Sequence, residues 1–204
     1  MLTLFHAPRS RSSGFIWLLE EIGALYEIHV VSIMRGDGTG EMDDANRHPH
    51  GKVPLLQDGE AVVFEQSAIA LYLADKFPDA KLGYPIGHPK RGELLSLLSY
   101  YSGVTEPAFM SKFLNVTPPR GSAGWVKVEE VMDHLNGRLQ KTQYMVSDDF
   151  TAADILYAGA FNLFMNSPMM AGLKTPQLEA YVARCVSRPA FARAMAKDSP
   201  PASS

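Results

Sequence analysis

The sequence predicts an α/β unit of about eighty residues followed by an all-helical unit. Three observations carry that expectation. Strand-like and helix-like patterns alternate as far as Phe77, helical periodicity alone runs from about residue 89, and a Gly- and Pro-rich stretch, Pro78–Pro89, stands between them. The boundaries that follow are 1–78 for the α/β unit, 79–88 for a linker and 89–204 for the helical unit.

Leu2–His6 is short and β-compatible, and Pro8-Arg-Ser-Arg-Ser-Ser13 breaks that pattern while offering several N-cap hydroxyls. Phe15, Ile16, Leu18, Leu19 and Ile22 follow at helical spacing, with Gly23 placed to end the helix. Tyr26–Ile33 reads as a second strand rich in β-branched residues. The polar, glycine-rich stretch Arg35–His50 reads as loop with at most one irregular helical turn. Val53–Gln57 and Ala61–Phe64 flank Asp58-Gly59, a hairpin signal, and Glu65–Phe77 is a helix stopped before Pro78. Strand, helix, strand, then hairpin and helix is the order of a thioredoxin-like domain, with a right-handed parallel crossover first.

The remainder shows no convincing strand. Lys90–Phe113 is a long helical pattern, bent near Gly103 and Pro107. Trp125–Lys141 carries Val128, Val131, Met132, Leu135 and Leu139 on one face, and Thr151–Phe164, Thr175–Ser187 and Pro189–Lys197 complete the helical series. Thr151-x-x-Asp154 is a capping box whose role is folding.

Composition narrows the function. The chain has 204 residues, 46% of them apolar, and a formal charge of −3, which excludes disorder and supplies no electrostatic attraction to nucleic acid or an anionic membrane. A single cysteine, Cys185, rules out chemistry built on two thiols, and its apolar helical neighbours mark it as a small buried hydrophobe. No segment reaches the roughly 18 apolar residues of a membrane span, and Met1–His6 does not read as a signal peptide. A cytoplasmic protein is the expectation. The ending, Asp198–Ser204, is small, polar and Pro-rich and is expected to fray. His48-Pro-His50 is the closest histidine pair and has no metal-ligand pattern, so no metal is expected.

Two stretches carry chemistry. In Asn46-Arg-His-Pro-His-Gly-Lys-Val-Pro-Leu-Leu56 a proline sits just before a strand, where a cis bond would turn the backbone of Val53 outward, although an ordinary turn fits the same residues. In Val63-Phe-Glu-Gln-Ser-Ala-Ile69 a helix starts directly after a strand, so its first N–H groups are free for an anion and Ser67 adds a hydroxyl, although Glu65 also suits the helix dipole alone.

Taken together, these motifs resemble the cytosolic glutathione transferase family. Phe5-His-Ala-Pro-Arg-Ser-Arg-Ser-Ser13 with Trp17-Leu-Leu-Glu-Glu21 is similar to the first strand and active-site helix of its bacterial serine-type, theta- or beta-like members. Gly51-Lys-Val-Pro54 resembles the cis-proline stretch, and Phe64–Ile69 continuing to Asp75 resembles the glutamyl-binding helix. Phe150–Ile155 and Arg188–Phe191 are similar to the family's capping box and C-terminal helix, so the resemblance spans residues 2 to 197.

The resemblance implies glutathione as co-substrate. Lys52 would meet its glycyl carboxylate, Val53 and Pro54 its cysteinyl backbone, Gln66 and Ser67 its γ-glutamyl carboxylate, and Glu65 its α-ammonium. Gln66 departs from the family, which usually has Ser directly after this Glu. Activation of the thiol needs a Tyr, Ser or Cys after the first strand; no Tyr precedes Tyr26, and Arg11 stands where cysteine-bearing members have Cys. That leaves Ser10, Ser12 and Ser13, with Ser10 the first choice and Ser12 the second, Arg11 as a source of positive potential and helix capping as the competing role of the serines. The resemblance also implies an electrophile pocket between the units, with His6 and Ala7 on one wall and Tyr100, Tyr101, Glu106, Phe109 and Phe113 on the other. Conjugation of glutathione to small apolar electrophiles is the leading reading; glutathione-dependent isomerisation, dehalogenation or peroxide reduction, or a non-catalytic binding role, are the alternatives. A homodimer is implied, with apolar stripes at Ala68–Tyr72 and Leu94–Tyr101 as its expected faces.

Overall fold

A computed structural model describes residues 1–117 and 119–198. The chain forms two compact units, Met1–Leu73 together with the segment from Arg188, and Ala74–Ser187. This corrects the expected boundaries at the linker and at the C-terminus. The residues expected as linker belong to the helical unit: the N–H of Ala152 donates to the Leu82 carbonyl (2.8 Å), and the Tyr84 ring stacks on His88 with centroids 4.6 Å apart.

In the first unit, β1 (Leu2–His6), β2 (Tyr26–Val30), β3 (Leu55–Asp58) and β4 (Ala61–Phe64) make a sheet of order β2-β1-β3-β4. β1 and β2 run parallel, and β1–β3 and β3–β4 are antiparallel. The parallel pair is joined by α1 (Ser13–Ile22), ended by Gly23 at φ 70°. Phe15, Ile16, Trp17, Leu18 and Leu19 of α1 are all buried, which one covered face of a helix cannot achieve. The second cover is α8 (Pro189–Lys197), whose Phe191 meets Trp17 edge to face at 5.0 Å. Burying side chains of that size contributes about 2–3 kcal/mol each. This packing is why α8 joins the α/β unit. The loop 31–54 contains no helical turn, and α2 (Gln66–Lys76) follows β4 directly.

The second unit holds α3 (Arg91–Tyr100), α4 (Glu106–Phe113), α5 (Val128–Leu139), α6 (Ala152–Phe164) and α7 (Pro176–Val186). α3 and α4 are one helix with a wide π turn at Tyr101–Thr105, closed by Glu106 N–H donating to the Tyr101 carbonyl. The bend has a cause in sequence: Pro107 has no N–H to offer the carbonyl of Gly103. Val131, Met132, Leu135, Ile155, Leu156, Tyr157, Leu178 and Tyr181 form this unit's core, and Cys185 is buried with them. Thr151 and Asp154 form the capping box that opens α6.

The apolar stripes expected to pair two chains are largely used inside one chain. Ile69, Ala70, Leu94, Leu97, Leu98 and Tyr101 are buried. No helix among the described residues is long and apolar enough to cross a membrane. Of the ending expected to fray, Ser199–Ser204 lie outside the described residues, whereas Asp198 is anchored by three groups of the α/β unit.

Candidate functional site

β1 delivers His6 into the turn Ala7–Ser12 that leads to α1, and Arg9 takes a left-handed backbone there (φ 54°). Ser10 is half-buried and Ser12 fully buried. The expected capping role of Ser12 is not what its hydroxyl does. It occupies the N-cap position without a side-chain cap bond, and its Oγ turns back toward β1. There it accepts from the Ala7 N–H (3.2 Å), reaches the Ala7 carbonyl (3.3 Å), meets His6 Nδ1 at 2.8 Å and meets Ser10 Oγ at 2.7 Å. The N–H of Ser12 in turn donates to Ser10 Oγ (3.2 Å), so the Ser10 hydroxyl is held from two sides. Arg11 is exposed.

Behind these serines stands a residue that the sequence did not suggest. Asp198 Oδ1 accepts from Ser13 Oγ (2.7 Å) and from the Arg9 N–H (3.2 Å), and lies 3.1 Å from His6 Nε2. The His6 contact is ionic in range but out of line for a hydrogen bond. Burial pushes the Asp198 carboxyl up, but His6, Ser13 and the Arg9 N–H outweigh it and hold it below the usual range. Asp198 and Arg9 are 189 positions apart in sequence, and only the packing of α8 on α1 brings them together. No local pattern could have signalled it. His6 and Ala7, expected on the pocket wall, are each 1% exposed and offer that wall no surface.

The neighbouring strands end at the same edge of the sheet. Phe5 is paired with Leu55, and Leu55 with Phe64, so the Ser10 turn, the Val53-Pro54 step and Glu65 leave three adjacent strands side by side. The Val53-Pro54 peptide is cis. Lys52 is exposed, and its carbonyl accepts from Asn46 Nδ2 (3.0 Å). Asn46 Oδ1 also takes the His48 N–H (3.1 Å), so this nearly buried amide clamps the loop ahead of Val53. Glu65 is exposed and holds φ 70°, a conformation that costs a non-glycine residue on the order of 1–3 kcal/mol and is kept where the surroundings demand it. Gln66 is buried and Ser67 half-buried at the start of α2, where a helix has N–H groups without partners from its own backbone ladder. His48 packs edge-on against Phe64 at 5.4 Å. Among the described residues no three His, Cys, Asp or Glu side chains gather to hold a metal ion.

The expected electrophile residues all lie along the α3–α4 helix of the helical unit. Tyr101 is buried against Tyr157 (centroids 5.1 Å apart), so it serves the core instead of a pocket. Tyr100 is half-buried beside His134 (5.3 Å) and Phe109 beside Phe161 (6.1 Å). Glu106 is half-buried and Phe113 is 67% exposed. A cleft of about 370 Å³ in this unit is lined by Ser111, Lys112, Val116, Val128 and Glu129 among others, and none of the five expected residues lines it.

Comparison with known proteins identifies the family. Residues 1–75 match the glutathione S-transferase N-terminal domain, and residues 124–189 the C-terminal domain. An uncharacterized GST-like protein of Streptococcus mutans is 30% identical over 88% of this chain and 74% of its own length. The chain belongs to the glutathione S-transferase family. Glutathione S-transferase 1 of Triticum aestivum is 27% identical over 92% of this chain and 90% of its own. A sphingomonad glutathione S-transferase, solved in complex with glutathione, superimposes with a TM-score of 0.74 at 27% identity, covering 96% of this chain and 98% of that one. Glutathione is this family's co-substrate, and the chain has the family's thioredoxin-like sheet and a helical unit.

Proposed function

We propose that the protein transfers the thiolate of glutathione to small apolar electrophiles in the cytoplasm, where glutathione is kept reduced. The observation that supports this is the shared sheet edge set by the pairs Phe5–Leu55 and Leu55–Phe64. It gathers three different chemistries for one small peptide. The Ser10 hydroxyl meets the sulfur, the Val53 backbone pairs with the cysteinyl unit as an added strand, and the N-terminus of α2 takes the γ-glutamyl carboxylate. Lys52 meets the glycyl carboxylate and Glu65 the α-ammonium, both being exposed. Gln66 contributes its backbone N–H in place of the serine usual there.

Ser10 is the residue that touches the reacting atom. Its hydroxyl donates to the thiolate in a charge-assisted bond worth about 1.5–3 kcal/mol. Ser10→Ala then raises the pKa of bound glutathione by about one to two units and slows conjugation at neutral pH, with glutathione affinity changed less. Thiolate absorbance titrated on the bound peptide is the measurement, and an unmoved titration rejects Ser10. Retention on immobilised glutathione followed by turnover of a chromogenic aryl halide tests the activity itself. Retention without turnover replaces conjugation by isomerisation, dehalogenation or peroxide reduction at the same thiolate. No retention leaves a binding module of another kind.

The electrophile is held by the helical unit's Tyr100, Glu106, Phe109 and Phe113, of which Phe113 presents the largest open apolar surface. The working molecule is a homodimer, as its family membership supports, and Phe64 and Leu95 remain exposed for such a contact (41% and 37%). Sedimentation at micromolar concentration tests this: a mass near 22 kDa, that of one chain, rejects the dimer.

A further inference from the structure

We infer that His6, held by Asp198, receives the proton of the glutathione thiol through Ser10 and Ser12. This deepens the reading in which Ser10 meets the sulfur, and it rests on that reading. His6 is buried, and each ring nitrogen faces one partner: Nε2 lies 3.1 Å from the Asp198 carboxylate and Nδ1 lies 2.8 Å from Ser12 Oγ. A neutral imidazole carries one N–H and one lone pair. The Nε2 contact with the carboxylate is one of charge and not an aligned hydrogen bond, and the positive end of a ring N–H is what a carboxylate favours beside it, so the N–H belongs on Nε2 and the lone pair on Nδ1. Ser12 then donates its one proton to Nδ1 at 2.8 Å, the nearer of its two acceptors, the other being the Ala7 carbonyl at 3.3 Å. Its oxygen, already accepting from the Ala7 N–H, accepts a second time from the hydroxyl of Ser10, 2.7 Å away.

In that arrangement the Ser10 proton points inward and its free lone pair points outward. An incoming thiol therefore donates to Ser10. Ionisation moves one proton at each link: the S–H bond breaks as a new O–H forms on Ser10, the former Ser10 proton passes to Ser12, and the former Ser12 proton passes to His6 Nδ1. The products are a thiolate that now accepts from the reversed Ser10 hydroxyl, and an imidazolium beside a carboxylate that stays ionised. No proton leaves the site, and the sulfur's negative charge faces a donor at the moment it forms. A carboxylate orienting an imidazole that faces a hydroxyl is the logic of hydrolytic triads, with the hydroxyl here serving as relay.

Little else competes for the ring. The Arg9 N–H and Ser13 Oγ bind the same Asp198 oxygen, Val30 on the neighbouring strand β2 is apolar, and His29 packs on Phe5 at 4.9 Å. Arg35 Nη2 donates to the Pro8 carbonyl (3.1 Å), outside the hydroxyl chain. His6 and Asp198 are positioning residues, since neither meets the sulfur.

Proton counting tests the relay on the unaltered protein. Glutathione is titrated at neutral pH in buffers of different ionisation enthalpy while thiolate absorbance is recorded. The relay predicts a thiolate signal with close to no proton released per glutathione bound. One proton released per thiolate formed overturns the relay while leaving Ser10 as a plain donor. An absent thiolate signal overturns the relay and the Ser10 reading together. Asp198→Asn should lower thiolate formation at neutral pH roughly tenfold and restore proton release to the thiolate that still forms, and Asp198→Glu should recover part of both. An Asp198→Asn protein that forms thiolate as before, without releasing protons, also overturns it.

Discussion

Arg188 holds Glu21 through two parallel hydrogen bonds, 2.7 Å from Nε to Oε1 and 2.8 Å from Nη2 to Oε2. Glu21 is nearly buried and takes the Trp17 Nε1–H as well (3.0 Å), so the pair ties the residue ahead of α8 to the interior of α1. Arg188→Met strands a buried carboxylate and is expected to cost about 2–3 kcal/mol in urea unfolding. Arg188→Lys should recover only part of that, because an ammonium cannot reproduce the fork. Because α8 carries Asp198 into the β1–α1 turn, both variants should also weaken thiolate formation in proportion to how far they loosen the helix.

Acid stability should report Glu20. Burial pulls its carboxyl up, but bonds from Lys197, Tyr26 and Arg193 pull further and hold it down at about 2. The folded value lies below the unfolded one near 4.5, so the contribution is complete above pH 4.5 and is lost as pH falls toward 2. Glu20→Gln should therefore lower stability at neutral pH and flatten the acid limb by up to one proton. Variant and parent should converge near pH 2 in denaturant titrations repeated across that window.

Asp154 is expected to matter to folding alone. Its carboxylate accepts from the N–H groups of Met145 and Thr151 (2.8 Å each), from Thr151 Oγ1 and from the Tyr181 hydroxyl (both 3.0 Å). Asp154→Ala leaves those donors without an acceptor in the interior and should cost at least about 3 kcal/mol. Thr151→Ser keeps the hydroxyl and should cost under about 1 kcal/mol. Neither should change the glutathione affinity of the folded fraction; a change would give Asp154 a second role.

Asn46 links the two halves of the loop before Val53. Asn46→Ala should weaken glutathione binding several-fold, because Lys52 and Val53 lose the clamp on their backbone, and should cost about 1 kcal/mol in stability. Asn46→Asp keeps the acceptor for the His48 N–H but not the donor to Lys52. If binding is lost in both variants, the Lys52 contact is what counts.

The α/β and helical patterns were legible because periods of two and 3.6 residues alternate as far as Phe77 and only the helical period follows. The bend near Gly103 and Pro107 was legible for the same kind of reason: a missing N–H is written in the sequence. What the sequence hides is packing across long separations. Pro189–Lys197 reads as one more helix after four others, and nothing in it says that Phe191 meets Trp17 at 5.0 Å. Ser12 reads as a cap because a serine before a helix usually is one, and only the buried His6 beside it diverts the hydroxyl. Of the candidate site, the position of the Ser10 turn, the Val53-Pro54 step and Glu65 at strand ends was readable, because each is local to its strand. Asp198 was not, and Tyr101 misled because an aromatic at helical spacing looks the same toward a cavity as toward a core.

The wide turn at Tyr101–Thr105 works as a phase shift. Each α-helical residue advances the azimuth by about 100°, so one residue accommodated beyond the usual turn rotates all of α4 by about that amount relative to α3. α3 aims Leu94, Leu97 and Leu98 at the core, while after the turn Ala108 is buried and Met110 and Phe113 stand exposed. Deleting Gly103 would remove the phase shift without shortening either helix, turning a different row of α4 toward Phe161. The choice of which α4 side chains face outward therefore resides in one extra residue of backbone, apart from the identity of any side chain on that helix.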